Sequence, residues 1–302
     1  ACAMSSQRKR LIHPAWIVAA VGFLALVGAA GFRSAPGVMM VPLQEEFGWG
    51  SATISLAISI NILLFGLTAP FAAALMNRFG IRKVTTGALL LISAGSALSI
   101  FATTPFVLIL TWGILIGLGS GSMALVFAAT ITNTWFVARR GLVSGILSAG
   151  SATGQLVFLP VMAGLVTTSG WRAASLVIAG ASLAVVPLIL LFMRNSPAEL
   201  GVRRFGESEA AAAKVAAEAA EAPPTGNPAK YALTVLREAA KTRTFWALAA
   251  GFAICGATTN GLIGVHFIPS AHDHGMPETT AAGLLAAVGI FDIVGTIASG
   301  WL

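Results

Sequence analysis

The stretch WIVAAVGFLALVGAAGFRSAPGVMM, residues 16–40, holds one ionisable side chain, Arg33, in an otherwise apolar run. A helix needs roughly 20 residues to cross about 30 Å of hydrocarbon, so this run spans a bilayer. The rest of the chain repeats the pattern. Apolar runs cover approximately 14–42, 52–76, 84–103, 105–131, 141–168, 172–193, 245–269 and 278–302. The last reaches the final residue and is expected to be an incomplete span. Across all 302 residues, 57% are hydrophobic and 10% charged, far from the quarter or so of charged residues in a soluble domain. Without water, each backbone N–H and C=O must be satisfied inside its own segment, so these runs are helices. Their continuous hydrophobicity, without period-two alternation, excludes a barrel.

The net charge of +7 raises the question of nucleic acid or anionic lipid, and the positions of the cations answer it. With the amino terminus inside, all Lys and Arg but two fall on the cytoplasmic side: QRKR at 7–10, NRFGIRK at 77–83, ARR at 138–140, and 194–243. Arg172 falls outside and Arg33 within a span. That asymmetry is the positive-inside rule; it predicts a multi-pass protein of the cell inner (plasma) membrane, and no nucleic-acid partner is needed. Two cysteines, Cys2 and Cys255, support neither a disulfide framework nor a metal site, and no cofactor motif occurs. GxSxG, HExxH and P-loop patterns are absent, so an enzyme is not expected.

Charge, alanine and proline replace apolar residues over 194–243. This divides the chain into a cytoplasmic N-terminus (1–13), a six-helix bundle (14–193), a cytoplasmic linker (194–243) and the start of a second bundle (244–302). Within the linker, AAAAKVAAEAAEA at 210–222 lacks an apolar face and is at most a solvated helix, ended by Pro223 and Pro224. YALTVLREAAKT, from Tyr231, is expected as a short amphipathic helix at the membrane surface.

AALMNRFGIRKV, residues 73–84, resembles the loop signature GxLxDRxGRRxx of the major facilitator superfamily, through Arg78, Gly80, Arg82 and Lys83. Ala73 and Asn77 depart from it. The resemblance implies an all-α membrane fold of two six-helix halves, the second incomplete here, in which this loop locks the halves together on the inside. Asn77 removes one charge pair from that lock. TWFVARRGLVSGILSAGSATG, residues 134–154, is similar to the monocarboxylate porters and oxalate:formate antiporters through Trp135, Phe136, Arg139, Arg140, Gly145, Gly150, Ser151 and Gly154. Two features of drug and sugar carriers are missing. Gly113 stands where many have an arginine ahead of Gly117, Gly119 and Gly121, and Leu159-Pro160 replaces an adjacent Gly-Pro.

Charges within spans mark function because each costs roughly 2.5–3.5 kcal/mol at a helix centre. Arg33 lies about 28 Å along the first helix, in its outer half, and Asp292 about 22 Å along the eighth. Arg33 reads either as a cation snorkelling to the outer headgroups or as an anion-binding cation in a central cavity, with Pro36, Gly28, Gly31 and Gly37 thinning the wall. In the monocarboxylate porters an eighth-helix aspartate works with an arginine one turn later. Asp292 matches the aspartate and Thr296 stands at the arginine. The resemblance therefore assigns proton coupling to Asp292, and Arg33 is expected to supply the cation. Asn61, Gln155 and Asn260, the last beside Thr258 and Thr259, are candidates for substrate contact or for helix-to-helix bonding. His266 is a candidate outer gate. His266, His272, Asp273 and His274 match no standard zinc spacing, and Pro269 is expected to interrupt their helix.

These readings converge on a monomeric secondary transporter moving a small organic anion by alternating access with protons. Anion exchange, export of neutral amphiphiles, and a non-transporting sensor or scaffold are the alternatives.

Overall fold

Pro14 opens the first helix, where its missing N–H leaves nothing unsatisfied, and the His13 Nδ1 caps it by accepting the Ala15 N–H at 3.2 Å. The computed structural model describes residues 13–123, 125–209 and 228–301, apart from the side chains of residues 34, 228, 229, 231 and 260. Helix α1 covers Pro14–Phe47, longer than its apolar run, because Gln44, Glu45 and Glu46 continue the helix to a left-handed cap at Gly48, φ 67°. Then follow α2 (Ser51–Phe79), α3 (Ile81–Ser99), α4 (Pro105–Trp135), α5 (Arg140–Phe192), the short α6 (Pro228–Ala239), α7 (Arg243–Asp273) and α8 (Glu278–Trp301). Among the described residues, seven of these are long and apolar enough to cross a membrane.

Helix α5 has 53 residues, at 1.5 Å each about twice a bilayer's thickness. It breaks at Gly170, whose φ of 82° and ψ of 166° are open to glycine and strained for other residues. The two arms run side by side. Gly154 of the fifth span meets Val27 and Ala30 of α1, while Ser182 of the sixth span donates to the Gly28 carbonyl at 3.3 Å. Two spans therefore pass the same level of α1, as the break between the runs 141–168 and 172–193 predicts. The expected alanine-rich segment over 210–222 and its stop at Pro223 and Pro224 lie outside the described residues, as do residues 7–10.

The helices meet through glycine. A Cβ on Gly154 would lie 2.4 Å from the Ala30 Cβ and 2.9 Å from the Val27 carbonyl oxygen. On the same span, Gly141 and Gly145 face α8, where a Cβ would lie 2.4 Å from the Gly300 oxygen and 2.9 Å from the Thr296 oxygen respectively. In α4, Gly113, Gly117 and Gly121 form one stripe against α2, at Ala57–Ile60, Asn61 and Phe65. Gly113, the position where many drug and sugar carriers hold an arginine, is therefore buried in a helix seam without room for one.

Prolines inside helices do not break them. Pro36 and Pro42 sit within α1, Pro70 within α2 and Pro269 within α7. The last corrects the expected interruption at Pro269: the helix runs through it from Gly264 to Asp273, as membrane helices do where neighbouring groups re-satisfy the freed carbonyl. Among the described residues two π turns occur elsewhere, at Ile109–Leu115 in α4 and Gly256–Ile263 in α7.

On the opposite face from the N-terminus, Arg172 pairs with Glu46 at 2.7 Å and lies 4.5 Å from the Trp171 ring centroid, while Trp171 donates to Glu46 at 2.6 Å. On the N-terminal face, the segment after α5 folds back. The Phe205 N–H donates to the Trp135 carbonyl at 2.8 Å, and Phe205 accepts from Val137 and Ala138 at 2.9 and 3.1 Å. Its ring meets His13, Trp16 and Phe136 at centroid distances of 5.5, 5.6 and 5.8 Å. Arg204 pairs with Glu207 beside it. This latch ties the start of the linker to the ends of α1 and α4.

Packing and charge in these contacts predict two outcomes. Gly154→Val overpacks the seam between the first and fifth spans at a cost of about 1–3 kcal/mol, read as a lower melting temperature of the solubilised full-length protein. Gly164→Ala, where a Cβ meets nothing within 4 Å, leaves it unchanged. At the latch, the Arg204 hydrogen bond lowers the Glu207 carboxyl below its ordinary range, and burial lowers the His13 imidazole below its own. Both contributions are complete above the ordinary values and are lost as pH falls through the lowered ones. Acidification from pH 7 therefore speeds tryptic cleavage after Arg203 and Arg204, and Phe205→Ala speeds it already at pH 7.

Candidate functional site

Pro36 removes the helix donor that the Phe32 carbonyl would otherwise meet, in the same turn that carries Arg33. The wall of α1 is thin here: Gly31 lies against the Phe158 ring, and at Gly37 a Cβ would stand 3.0 Å from the Gly264 carbonyl of α7. The guanidinium of Arg33 lies 4.3 Å from the Phe65 ring centroid. Among the described residues it has no hydrogen-bond or ion-pair partner. An unpaired arginine within a span is costly, and this one faces a cavity instead of the headgroups.

Three cavities share Arg33 and Phe65 in their linings. One of about 70 Å³ lies between α1, α2, the fifth span and α7, and brings together Arg33, Asn61 and Gln155. The largest of the three, about 750 Å³, extends from Arg33 past Met123, Ser148 and Ser151 to Ala249, Phe252 and Cys255 of α7. Those α7 residues lie on the side of Arg33 that carries the chain's N-terminus. On the other side α1 and α7 touch at Gly37, Gly264 and Val265. The cavity thus extends toward the face where α1 begins, while α1 and α7 are in contact on the other side.

Asn61 serves both readings given to it. Its amide donates to the Trp112 carbonyl at 2.6 Å inside the π turn of α4, which binds helices, while the residue still lines the cavity. Gln155 is half-buried and has no hydrogen bond among the described residues. Asn260 lies in the π turn of α7, and its side chain is outside the described residues. Thr258 bonds back to the Ile254 carbonyl at 2.9 Å.

His266 is exposed and lines none of the three cavities. Asp292 does not line them either. It is exposed on α8, where it accepts a hydrogen bond from Thr296 at 3.2 Å. Hydroxyl and carboxylate thus meet where the resemblance implies carboxylate and arginine. His272 stands 3.7 Å from Glu278, and His274 contacts the Ser270 carbonyl at 2.7 Å.

The basic loop closes on its own half. Gly80, φ 89°, permits a turn that seats Asn195 against it, and Asn195 accepts the Arg82 N–H at 3.1 Å. The Arg82 guanidinium donates to the Leu190 carbonyl. Asn77, Arg78 and Lys83 are exposed, with Arg78 5.3 Å from the Phe79 ring centroid. The loop's described contacts run to the end of the sixth span, where the family's lock would run between halves.

Sequence reasoning missed Phe65, Ser120, Ser148 and Ser151 as cavity residues. Phe65 was open to discovery, being one helical turn from Asn61 on the same face. The serines carried no signal, since small polar residues in spans serve packing as often as binding.

The comparisons with known proteins agree with this architecture. A family model described as Major Facilitator Superfamily matches residues 22–302. An uncharacterized MFS-type transporter, YcxA, of Bacillus subtilis is 25% identical over 95% of this chain and 64% of its own length. Monocarboxylate transporter 13 of Bos taurus is 29% identical over 95% of the chain and 61% of its own, and monocarboxylate transporter 3 of Rattus norvegicus is 29% identical over 95% and 54%. The chain thus spans between about half and two thirds of these relatives. The match across nearly its whole length, on an all-helical multi-pass fold, establishes that the chain belongs to the Major Facilitator Superfamily.

Proposed function

We propose that the protein is a secondary transporter moving a small, monocarboxylate-like organic anion by alternating access, coupled to protons, in the plasma membrane with its N-terminus cytoplasmic. The observation that carries this reading is Arg33, unpaired within a span among the described residues and opening on a cavity beside Asn61 and Gln155. A carboxylate supplies what the guanidinium lacks, two in-plane acceptors for its N–H groups. The relatives named monocarboxylate transporters support the same class.

With this orientation the cavity faces the cytoplasm and the Gly37–Gly264 contact closes the outside. Alternating access then separates α1 from α7 at that contact and brings them together beside Leu26 and Phe252. The glycine seams of the fifth span let helices slide without side-chain clashes. Asp292 is the proton site: it is a carboxylate within a span, hydrogen-bonded only to a hydroxyl among the described residues. The loop of Asn77, Arg78, Gly80, Arg82 and Lys83 steadies the cytoplasmic end during the exchange of states. The carrier works as a monomer, with lipid as its only other partner.

A second reading, anion exchange without protons, is favoured by one feature: Asp292 and Arg33 do not share a cavity. Uptake by the full-length protein in proteoliposomes separates the two. Arg33→Ala weakens uptake of a labelled monocarboxylate by roughly tenfold to a hundredfold, the loss expected for a charge-assisted hydrogen-bond pair. Wild-type uptake after that substitution would remove Arg33 as the anion site. Asp292→Asn retains exchange of internal for external anion but loses accumulation driven by an imposed pH gradient; a variant that still accumulates removes Asp292 as the proton site, and a wild type that exchanges but never accumulates under that gradient supports the exchanger.

A further inference from the structure

We propose that Phe65 selects the substrate by its hydrocarbon part, favouring monocarboxylates with an apolar substituent of a few carbons over shorter ones and over dicarboxylates. This rests on reading Arg33 as the anion site and assigns the group that grips the remainder of the molecule. Phe65 borders each of the three cavities beside Arg33, and its ring centroid lies 4.3 Å from the guanidinium carbon.

The contact constrains what binds. A ring over the guanidinium covers one face of it and leaves the N–H donors in their plane, so an incoming carboxylate docks edge to edge. The carbons attached to that carboxylate extend away from the guanidinium into the cavity that Phe65 also lines. Those carbons then lie among Phe65, Phe32, Ile58, Ile62 and Val265, which form the apolar wall of the same cavity. Each methylene placed there leaves water.

The polar inventory excludes a second charge. Among the described residues Arg33 is the only cation lining the three cavities, and one N–H of the Asn61 amide is committed to the Trp112 carbonyl. Gln155, the second Asn61 N–H and the hydroxyls of Ser120, Ser148 and Ser151 remain to take a hydroxyl or keto oxygen, but none of these neutral groups neutralises a carboxylate. A dicarboxylate would therefore bury an unpaired charge against the wall.

The test uses the full-length protein in proteoliposomes, with uptake of labelled propionate and competition by acetate, propionate, butyrate and succinate. In the wild type each added methylene tightens competition by roughly fourfold. Succinate competes at least about tenfold less well than butyrate, since its second charge is unpaired. Phe65→Ala flattens the series, reducing the butyrate-to-acetate ratio toward one. Phe65→Leu, which keeps an apolar group there, retains a graded series.

Acetate competition also verifies that each variant is folded. A uniform weakening of all competitors by Phe65→Ala, or succinate equal to butyrate in the wild type, overturns the assignment of Phe65 alone. Absence of uptake or competition by any carboxylate overturns the Arg33 reading with it.

Discussion

In a bilayer the surrounding acyl chains are as apolar as leucine, so burying a side chain between helices gains little over leaving it in lipid. Association depends on how closely the helix backbones approach, because dispersion and weak polar contacts fall away over fractions of an ångström. The fifth span carries this constraint for the molecule. Gly150 and Gly154 press on α1 at Phe23–Leu26 and Val27–Ala30, while Gly141 and Gly145 press on α8 at Gly300 and Thr296. One helix thereby fixes both the span that bears Arg33 and the span that bears Asp292. Removing the side chains that would separate them brings two charged spans close without bringing the charges together.

The site follows from this scaffold. Because α2 and α4 are joined through Gly113, Gly117 and Gly121, the face of α2 holding Asn61 and Phe65 is held in place beside α1. Among the described residues Arg33 then meets an aromatic ring and an open volume in place of a counter-ion. On the proposed reading such a guanidinium is pre-organised for an anion, since the cost of holding it away from bulk water has been met by folding. At the rims, polar and aromatic contacts fasten segments to one another: Arg172 with Glu46 closes one end of the first half, and Phe205 secures the linker at the other.

Legibility in the sequence varied with the range of the interaction. Span positions, the break between the fifth and sixth spans at Gly170, and the amphipathic α6 were readable because each depends on local composition and backbone freedom. Arg33, Asn61 and Gln155 were readable as polar groups out of place in apolar runs, and the structure gathers them in one cavity. His266 was equally conspicuous yet faces away, because one helical residue differs from the next by about 100° and no run of apolar residues fixes that rotation. Phe65 was legible only through its place one turn from Asn61, since an aromatic residue in a span otherwise reads as core or lipid contact until its neighbour is known. The latch at Phe205 was hidden because it joins segments separated by an entire half of the bundle.

Hydropathy and charge placement by themselves determined that the chain crosses the membrane repeatedly and carries two isolated charges within spans, since water's absence leaves a backbone no alternative to helix and makes each charge exceptional. Only the tertiary structure decided that Arg33 faces a cavity against Phe65, that Asn61 also binds the π turn of α4, and that Asp292 meets Thr296 outside that cavity. Hydrophobicity records how deep a residue sits, whereas helix rotation and backbone spacing, set here by glycines on neighbouring spans, decide what it faces.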